Sequence, residues 1–173
     1  MSRAAMQLSL IPPRTRHTVL VRSERSCSPT TIDLFCGAGN FSLPAARRGA
    51  LVTGVDTDES AIAAARANAA RMGLHQVQFV AMAAAETAQF LRRAKYLPAI
   101  VILDPPRTGA IALMEGIAKL GARRIIYVSC DIATLVRDLG ALIKRGYRIR
   151  QVSGFDFFPN THHVEVAAEM VLT

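Results

Sequence analysis

The chain has 173 residues, of which 51% are hydrophobic and 20% are charged. This length and balance are typical of one globular domain with a substantial core, and they exclude an intrinsically disordered chain. No apolar run approaches the roughly 20 residues that a membrane-spanning helix needs, so a membrane protein is not predicted.

The formal charge is +8, from 21 Lys and Arg residues against 13 Asp and Glu residues. A positive excess favours polyanionic partners, because contacts with phosphates release condensed counterions. An ordinary Arg-rich surface would give the same charge. The charge therefore indicates nucleic acid only together with other features.

The cysteines and the first residues bear on the cellular compartment. Cys27, Cys36 and Cys130 cannot all pair, and they show no CxxC or Cys/His spacing typical of a metal site. Arginines flank a very short apolar segment near the start of the chain, which argues against a signal peptide. We predict reduced thiols, a cytoplasmic location and no metal site.

From residue 31 onward, strand-like and helix-like segments alternate, with short loops between them. Residues 1–30 are predicted to form a basic arm, and residues 31–173 a single domain. Strands are predicted at 31–35, 51–56, 77–81, 99–104, 124–129, 147–158 and 163–173, and helices at 41–49, 58–73, 84–95, 109–120 and 132–145.

This alternation predicts an α/β fold, with parallel strands joined by right-handed crossovers in a doubly wound sheet. The last two strands have no helix between them, so one should be an antiparallel edge strand. Seven strands in this order favour the Rossmann-like sheet of class I methyltransferases over that of a dinucleotide dehydrogenase.

The first strand–helix turn reads DLFCGAGNFSLPAA and suits a ligand site. Gly37 and Gly39 permit a tight turn, and the following helix offers free N–H groups. Asp56 ends the second strand, where a carboxylate can bind two ribose hydroxyls. The third glycine of the dinucleotide fingerprint is missing, so S-adenosylmethionine fits better than NAD. The alternative is a purely structural turn with an acidic helix start.

Residues predicted to bind this cofactor lie in the turn and at the strand ends that flank it. They are Asp33, Gly37, Gly39, Asn40, Phe41, Asp56 and Asp104.

Asp104 ends the fourth strand in the segment LDPPRTGA, where two prolines stiffen the loop beside the expected cofactor. Its carboxylate can accept hydrogen bonds from a polar ligand. Arg107 could pair with Asp104, with a phosphate, or with neither. A rigid loop with an ordinary ion pair is the competing interpretation.

Cys130 follows the fifth strand at the same edge, although buried inert cysteines are commoner than nucleophiles. Glu165 follows a proline-containing loop and can act as a general base if it reaches the substrate. The alternative, a strand acid paired with Lys or Arg, fits Glu169 better. His162 and His163 are interpreted as loop residues or substrate contacts.

Together, the segments DLFCGAGNFSLPAA, LDPPRTGA, YVSCDIATLVRDL and FFPNTHHVE resemble the RNA uracil-5-methyltransferases, which act on tRNA and rRNA. The resemblance runs from about residue 31 to the last residue. It implies that Cys130 is the nucleophile, that Glu165 removes the proton from carbon 5, and that Asp104 lies on the active-site floor beside the methyl donor. Arg107 and His163 are weaker candidates for substrate binding.

The resemblance implies an enzyme that uses S-adenosylmethionine to methylate carbon 5 of uridine in RNA through a covalent cysteine adduct. Family members usually carry an additional N-terminal region, so a separate RNA-binding partner is also considered. The alternative is a truncated, weakly active or inactive module that binds the cofactor or RNA. Methylation of an exocyclic amino group is least favoured, because Arg107 stands where an aromatic residue would be expected.

Overall fold

The computed structural model describes residues 29–93, 96–156 and 164–173. The strands are β1 Thr30–Leu34, β2 Leu51–Asp56, β3 Val77–Ala81, β4 Ile100–Leu103, β5 Arg124–Ser129, β6 Tyr147–Phe155 and β7 Glu165–Leu172. The helices are α1 Ser42–Arg47, α2 Glu59–Arg71, α3 Ala84–Arg93, α4 Met114–Ala118 and α5 Ile132–Ile143, with a 3-10 turn at Ile111–Leu113 before α4.

These elements occupy the segments that the sequence predicts, with small differences at their ends. The helix predicted over 109–120 is the 3-10 turn followed by the short α4. Residue 30 already begins β1. Residues 1–28 of the predicted arm lie outside the described residues, as do residues 157–163.

The seven strands form one sheet in the order β3-β2-β1-β4-β5-β7-β6. β1 to β5 pair in parallel, and β7 pairs antiparallel with both β5 and β6. The predicted fold class is therefore confirmed. The strand that runs against the others is β7, which lies one place inside the edge strand β6.

Helices cover both faces of the sheet, as expected for a doubly wound fold. The larger buried cluster joins β1, β4, β5 and β7 to α3, α4 and α5. A smaller one joins Phe79 of β3 to α1 and α2. Within the described part of the chain, no helix has the length and apolarity needed to cross a membrane.

The topology gathers distant segments at one edge of the sheet. The carboxyl ends of the parallel strands lie there, and the antiparallel β7 contributes its amino end. The loops after β1, β2, β4 and β5 thus lie along the same edge as the first residue of β7.

Candidate active site

The glycine turn after β1 is held by backbone hydrogen bonds. The Cys36 amide donates to the Val55 carbonyl at 3.0 Å, and the Gly39 amide donates to the Cys36 carbonyl at 2.9 Å. Gly37 and Gly39 have φ angles of +50° and +95°, in the region that favours glycine. A Cβ at Gly39 would lie 3.0–3.1 Å from Leu43 and Phe79, whereas a Cβ at Gly37 would meet nothing within 4 Å. The backbone at Gly37 therefore faces open space, which a ligand can approach closely.

Asp56 ties the end of β2 to this turn. One carboxylate oxygen accepts the Gly37 amide at 2.8 Å, and the other accepts the Asp58 amide at 3.0 Å. A carboxylate offers about four lone-pair sites, so roughly two remain for ligand hydroxyls. Asp56 can therefore shape the turn and bind a ligand at once.

Asp33 is fully buried in β1, where the Ser42 hydroxyl donates to its Oδ2 at 2.6 Å. Its Oδ1 has no hydrogen-bond partner among the described residues. Burial raises the pKa of Asp33 to about 6; the Ser42 bond acts against this rise, and the charges of Asp104 and Asp56 add to it. A buried carboxylate with a free oxygen is poised to accept a hydrogen bond or a positive charge.

Asp104 directly follows β4, and its amide donates to the Leu34 carbonyl at 3.4 Å. Its side chain is half buried. Burial and the negative charge of Glu165 raise its pKa. Asp104 and Glu165 are thus close enough to interact electrostatically.

Strand register places Glu165 beside Cys130. Ser129, the last residue of β5, pairs with Val166 of β7. One step further along the same antiparallel register lie Cys130 and Glu165. Cys130 is a partly exposed free thiol, and Glu165 is partly buried. A thiol and a carboxylate therefore lie at the same edge, at the ends of neighbouring strands.

Arg107 is exposed in the loop after Asp104 and makes no ion pair among the described residues. Two hydrogen bonds from Thr134 are the main cause of the lowered pKa of Asp131, and the Arg107 charge adds a smaller lowering. The Arg107 guanidinium thus lies within electrostatic range of Asp131, the residue that follows Cys130.

The remaining residues considered from the sequence have different surroundings. Glu169 contacts Arg124 at 3.4 Å and Arg150 at 3.1 Å, which is the ordinary ion pairing expected of it. Asn40 and Phe41 are exposed just before α1. His163 lies outside the described residues.

Two contributors were missed from sequence. Ser42 occupies the position of the absent third glycine and bonds Asp33; its place in the fingerprint was the available signal. Asn68 of α2 donates from its side chain to the Ala38 carbonyl at 3.2 Å, thirty residues away. Nothing local in the sequence marks that contact.

The carboxylates of Asp56 and Asp104 lie at this edge with the buried Asp33 close to them, and no Lys or Arg of the described residues pairs with any of the three. Their charges repel one another, because Asp104 and Asp56 both raise the pKa of Asp33. A ligand with cationic groups and hydroxyls would relieve the repulsion among these carboxylates. The residues present therefore fit a ligand with the ammonium, sulfonium and ribose groups of S-adenosylmethionine.

Comparison with known proteins agrees with this geometry. Residues 20–171 match the model of the tRNA (uracil-5-)-methyltransferase family. The chain is 40% identical over 139 residues to the 23S rRNA (uracil(1939)-C(5))-methyltransferase RlmD of Alcanivorax borkumensis, covering 80% of this chain and 31% of the relative. It is 46% identical over 146 residues to RlmD of Alkalilimnicola ehrlichii, covering 79% and 31%.

Among solved structures, the chain resembles the tRNA (uracil-54, C5)-methyltransferase of Pyrococcus abyssi, which was crystallised with S-adenosyl-L-homocysteine. The TM-score is 0.71 at 30% identity, over 84% of this chain and 35% of that one. The chain thus spans about 30% of the length of the curated relatives that it matches. On the family match over most of its residues, the chain belongs to the tRNA (uracil-5-)-methyltransferase family.

Proposed function

We propose that this chain is the catalytic domain of an enzyme that transfers a methyl group from S-adenosylmethionine to carbon 5 of uridine in RNA. The observation that carries the proposal is the register that sets Glu165 beside Cys130, at the edge where the carboxylates gather. The names of the relatives, which modify uracil carbon 5 in rRNA or tRNA, support it.

The glycine turn and its acidic neighbours form the donor site in this proposal. The open backbone at Gly37 lets the donor approach closely, and Asp56 accepts hydrogen bonds from its ribose hydroxyls. Asp33 and Asp104 compensate its positive charge, while Asn40 and Phe41 border the site. When bound, S-adenosylmethionine supplies an electrophilic methyl group.

Cys130 acts on the uracil ring. Its thiolate forms a bond to carbon 6, and the carbon 5–carbon 6 π electrons shift into an enolate that makes carbon 5 nucleophilic. After carbon 5 has gained the methyl group, Glu165 takes the proton from carbon 5. The double bond re-forms, and the Cys130 thiolate leaves. Covalent catalysis thus divides a difficult substitution into easier steps.

Arg107 is proposed to contact a phosphate next to the target uridine. It is an exposed cation within electrostatic range of Asp131, the residue after Cys130, and the chain has an excess of positive charge. His163 remains a proposed substrate contact. A separate RNA-binding module, in the same polypeptide or in a partner, would complete substrate binding.

The chemistry requires a reduced thiol, which fits a cytoplasmic enzyme. Cys36 and Cys130 are both free in the structure.

The direct test is methyl transfer to a uridine-containing transcript of rRNA or tRNA sequence. With isotopically labelled S-adenosylmethionine, nuclease digestion and mass spectrometry should show the label in 5-methyluridine. Label in an exocyclic amino group would overturn the proposal, as would no transfer by protein that binds S-adenosylhomocysteine normally.

A second experiment tests the covalent step. RNA that contains 5-fluorouridine should form a stable adduct in the presence of the donor. Its carbon 5 carries fluorine in place of the proton that Glu165 must remove, so the adduct cannot break down. Peptide mapping should locate the adduct at Cys130. Turnover on uridine without any trapped adduct would exclude thiol addition.

A further inference from the structure

The loop at 105–110, between Asp104 and the 3-10 turn, is bonded along the first two turns of α5. The Thr134 hydroxyl donates to the Arg107 carbonyl at 3.0 Å, and Arg137 Nη2 donates to the Thr108 carbonyl at 2.9 Å. Asp138 Oδ2 accepts the Ala110 amide at 2.6 Å. Residues 134, 137 and 138 share one helix face, so α5 contacts the loop at three successive points.

Asp138 is the centre of this arrangement. Its carboxylate is fully buried and accepts the Tyr127 hydroxyl at 2.6 Å and Arg137 Nε at 2.8 Å, in addition to the loop amide. A buried carboxylate is costly, and a well-packed apolar residue usually stabilises a fold as well or better. Ordinary packing therefore does not account for an aspartate here, whereas orienting a backbone amide does.

Gly109 shows how closely the loop approaches the helix. Its φ angle is +71°, and a Cβ built on it would lie 2.6 Å from both Arg137 Nη2 and Asp138 Oδ2. No side chain fits between the loop backbone and the Asp138 carboxylate. The loop and the helix are therefore in direct contact.

Cys130, the proposed nucleophile, lies directly before the N-cap residue of the same helix. Asp131, the residue after Cys130, caps α5 by accepting the Thr134 amide at 2.9 Å. The Thr134 hydroxyl lies 3.1 Å from the Asp131 carboxylate and also bonds the loop. Thr134 thus links the Cys130 segment to the loop that carries Arg107.

We infer that Asp138 is a positioning residue, which holds the loop at 105–110 on α5 so that Arg107 and Cys130 keep fixed relative positions. The effect of this positioning on catalysis rests on the proposed function. A displacement of about 1 Å far from the reacting atoms can lower a rate roughly 100-fold, so a loosened loop should slow chemistry on the base. Donor binding should be spared, because Asp56 and Asn68 hold the glycine turn separately and the Asp104 amide is bonded to the Leu34 carbonyl of β1.

Asp138→Asn tests this inference, since it keeps the size of the side chain but removes the charge. Three quantities are measured: hydrogen exchange of the Thr108, Gly109 and Ala110 amides, the rate of adduct formation with 5-fluorouridine RNA, and S-adenosylhomocysteine affinity. We expect amide exchange to accelerate and adduct formation to slow, each by about tenfold or more, with affinity changed less than about twofold.

Two further variants complete the design. Thr134→Val keeps the helix and removes the hydroxyl bonded to the Arg107 carbonyl, so it should show the same pattern more weakly. Tyr127→Phe removes a donor to Asp138 but leaves every loop bond, so adduct formation should remain close to wild type. If Asp138→Asn fails to fold, Thr134→Val decides the question.

The inference is overturned if a folded Asp138→Asn protein keeps wild-type loop exchange and adduct formation. It is also overturned if donor affinity, adduct formation and melting temperature fall together, which would indicate a general structural role. Failure of the wild type to form any adduct would count against the proposed function instead. The exchange of the Ala110 amide would still report on the contact with Asp138.

Discussion

Two halves of the sheet edge are built differently. The proposed donor half (Asp33, Gly37, Gly39 and Asp56, with Asp104 beside it) is held by short, partly buried hydrogen bonds within neighbouring segments. The proposed acceptor half (Cys130 and Glu165) comes from the ends of two strands that are distant in the chain, and it is more open. A local motif suffices for the donor half, whereas the acceptor half depends on strand order. Changes in the first should therefore alter donor affinity, and changes in the second should alter chemistry.

Cys130→Ala should give the largest difference between the effect on methyl transfer and the effect on donor affinity. Removal of a catalytic nucleophile lowers turnover by roughly 10⁴-fold or more, and we expect methyl transfer and the 5-fluorouridine adduct to be lost. Isothermal titration should show nearly unchanged S-adenosylhomocysteine affinity. Cys36→Ala is the control for thiol chemistry, because Cys36 is buried and burial raises its pKa to about 12. Parallel loss of affinity in Cys130→Ala would show that the thiol is structural.

Glu165→Gln should have the next largest effect. Loss of a general base costs about 10²–10⁴-fold, and the methylated covalent adduct should accumulate because its carbon 5 proton stays in place. Intact-protein mass spectrometry with RNA fragments measures this adduct. Glu169→Gln, four residues along the same strand, removes only the contacts with Arg124 and Arg150, so turnover should stay near wild type. Equal losses in both variants would argue against a base at Glu165.

Gly37→Ala should act on the donor half alone. Gly37 and Gly73 have similar φ angles, +50° and +64°, and a Cβ on either meets nothing within 4 Å. Each substitution should lower the free energy of unfolding by about 1 kcal/mol. Only Gly37→Ala should also lower the affinity for S-adenosylhomocysteine, by about tenfold. Titration calorimetry and denaturant unfolding measure the two quantities. Unchanged affinity in Gly37→Ala would place the donor elsewhere.

The smallest expected effect is a pH dependence from Asp33. Burial raises the pKa of Asp33 from 3.8 to about 6, so between these values the folded chain binds more protons than the unfolded chain. The free energy of unfolding should therefore fall as pH rises from about 4 to about 6 and should level off above that pH. Asp33→Asn should remove this contribution. A cationic donor favours the ionised form, so wild-type affinity should rise between about pH 5 and 7. Identical pH slopes in both proteins would contradict the assignment.

The sequence was most informative where the determinants are local. Alternating apolar and helical segments predicted the sheet, and the glycines with Asp56 predicted the shape of the first turn. The insertion of β7 between β5 and β6 could not be read in the same way, because it depends on which strands share a core. The contacts of Asn68 and Asp138 were missed for a related reason: each joins a helix side chain to a backbone group about thirty residues away.

The position of β7 also bears on how the protein is made. Among the described strands, β6 hydrogen-bonds with β7 and no other, so its place in the sheet depends on β7 being synthesised and paired with β5. A nascent chain on the ribosome that has emerged only as far as β6 would have the Cys130 thiol but no opposing carboxylate. Under the proposed mechanism, the domain would therefore become competent late in its synthesis, when the newest strand docks between two older segments.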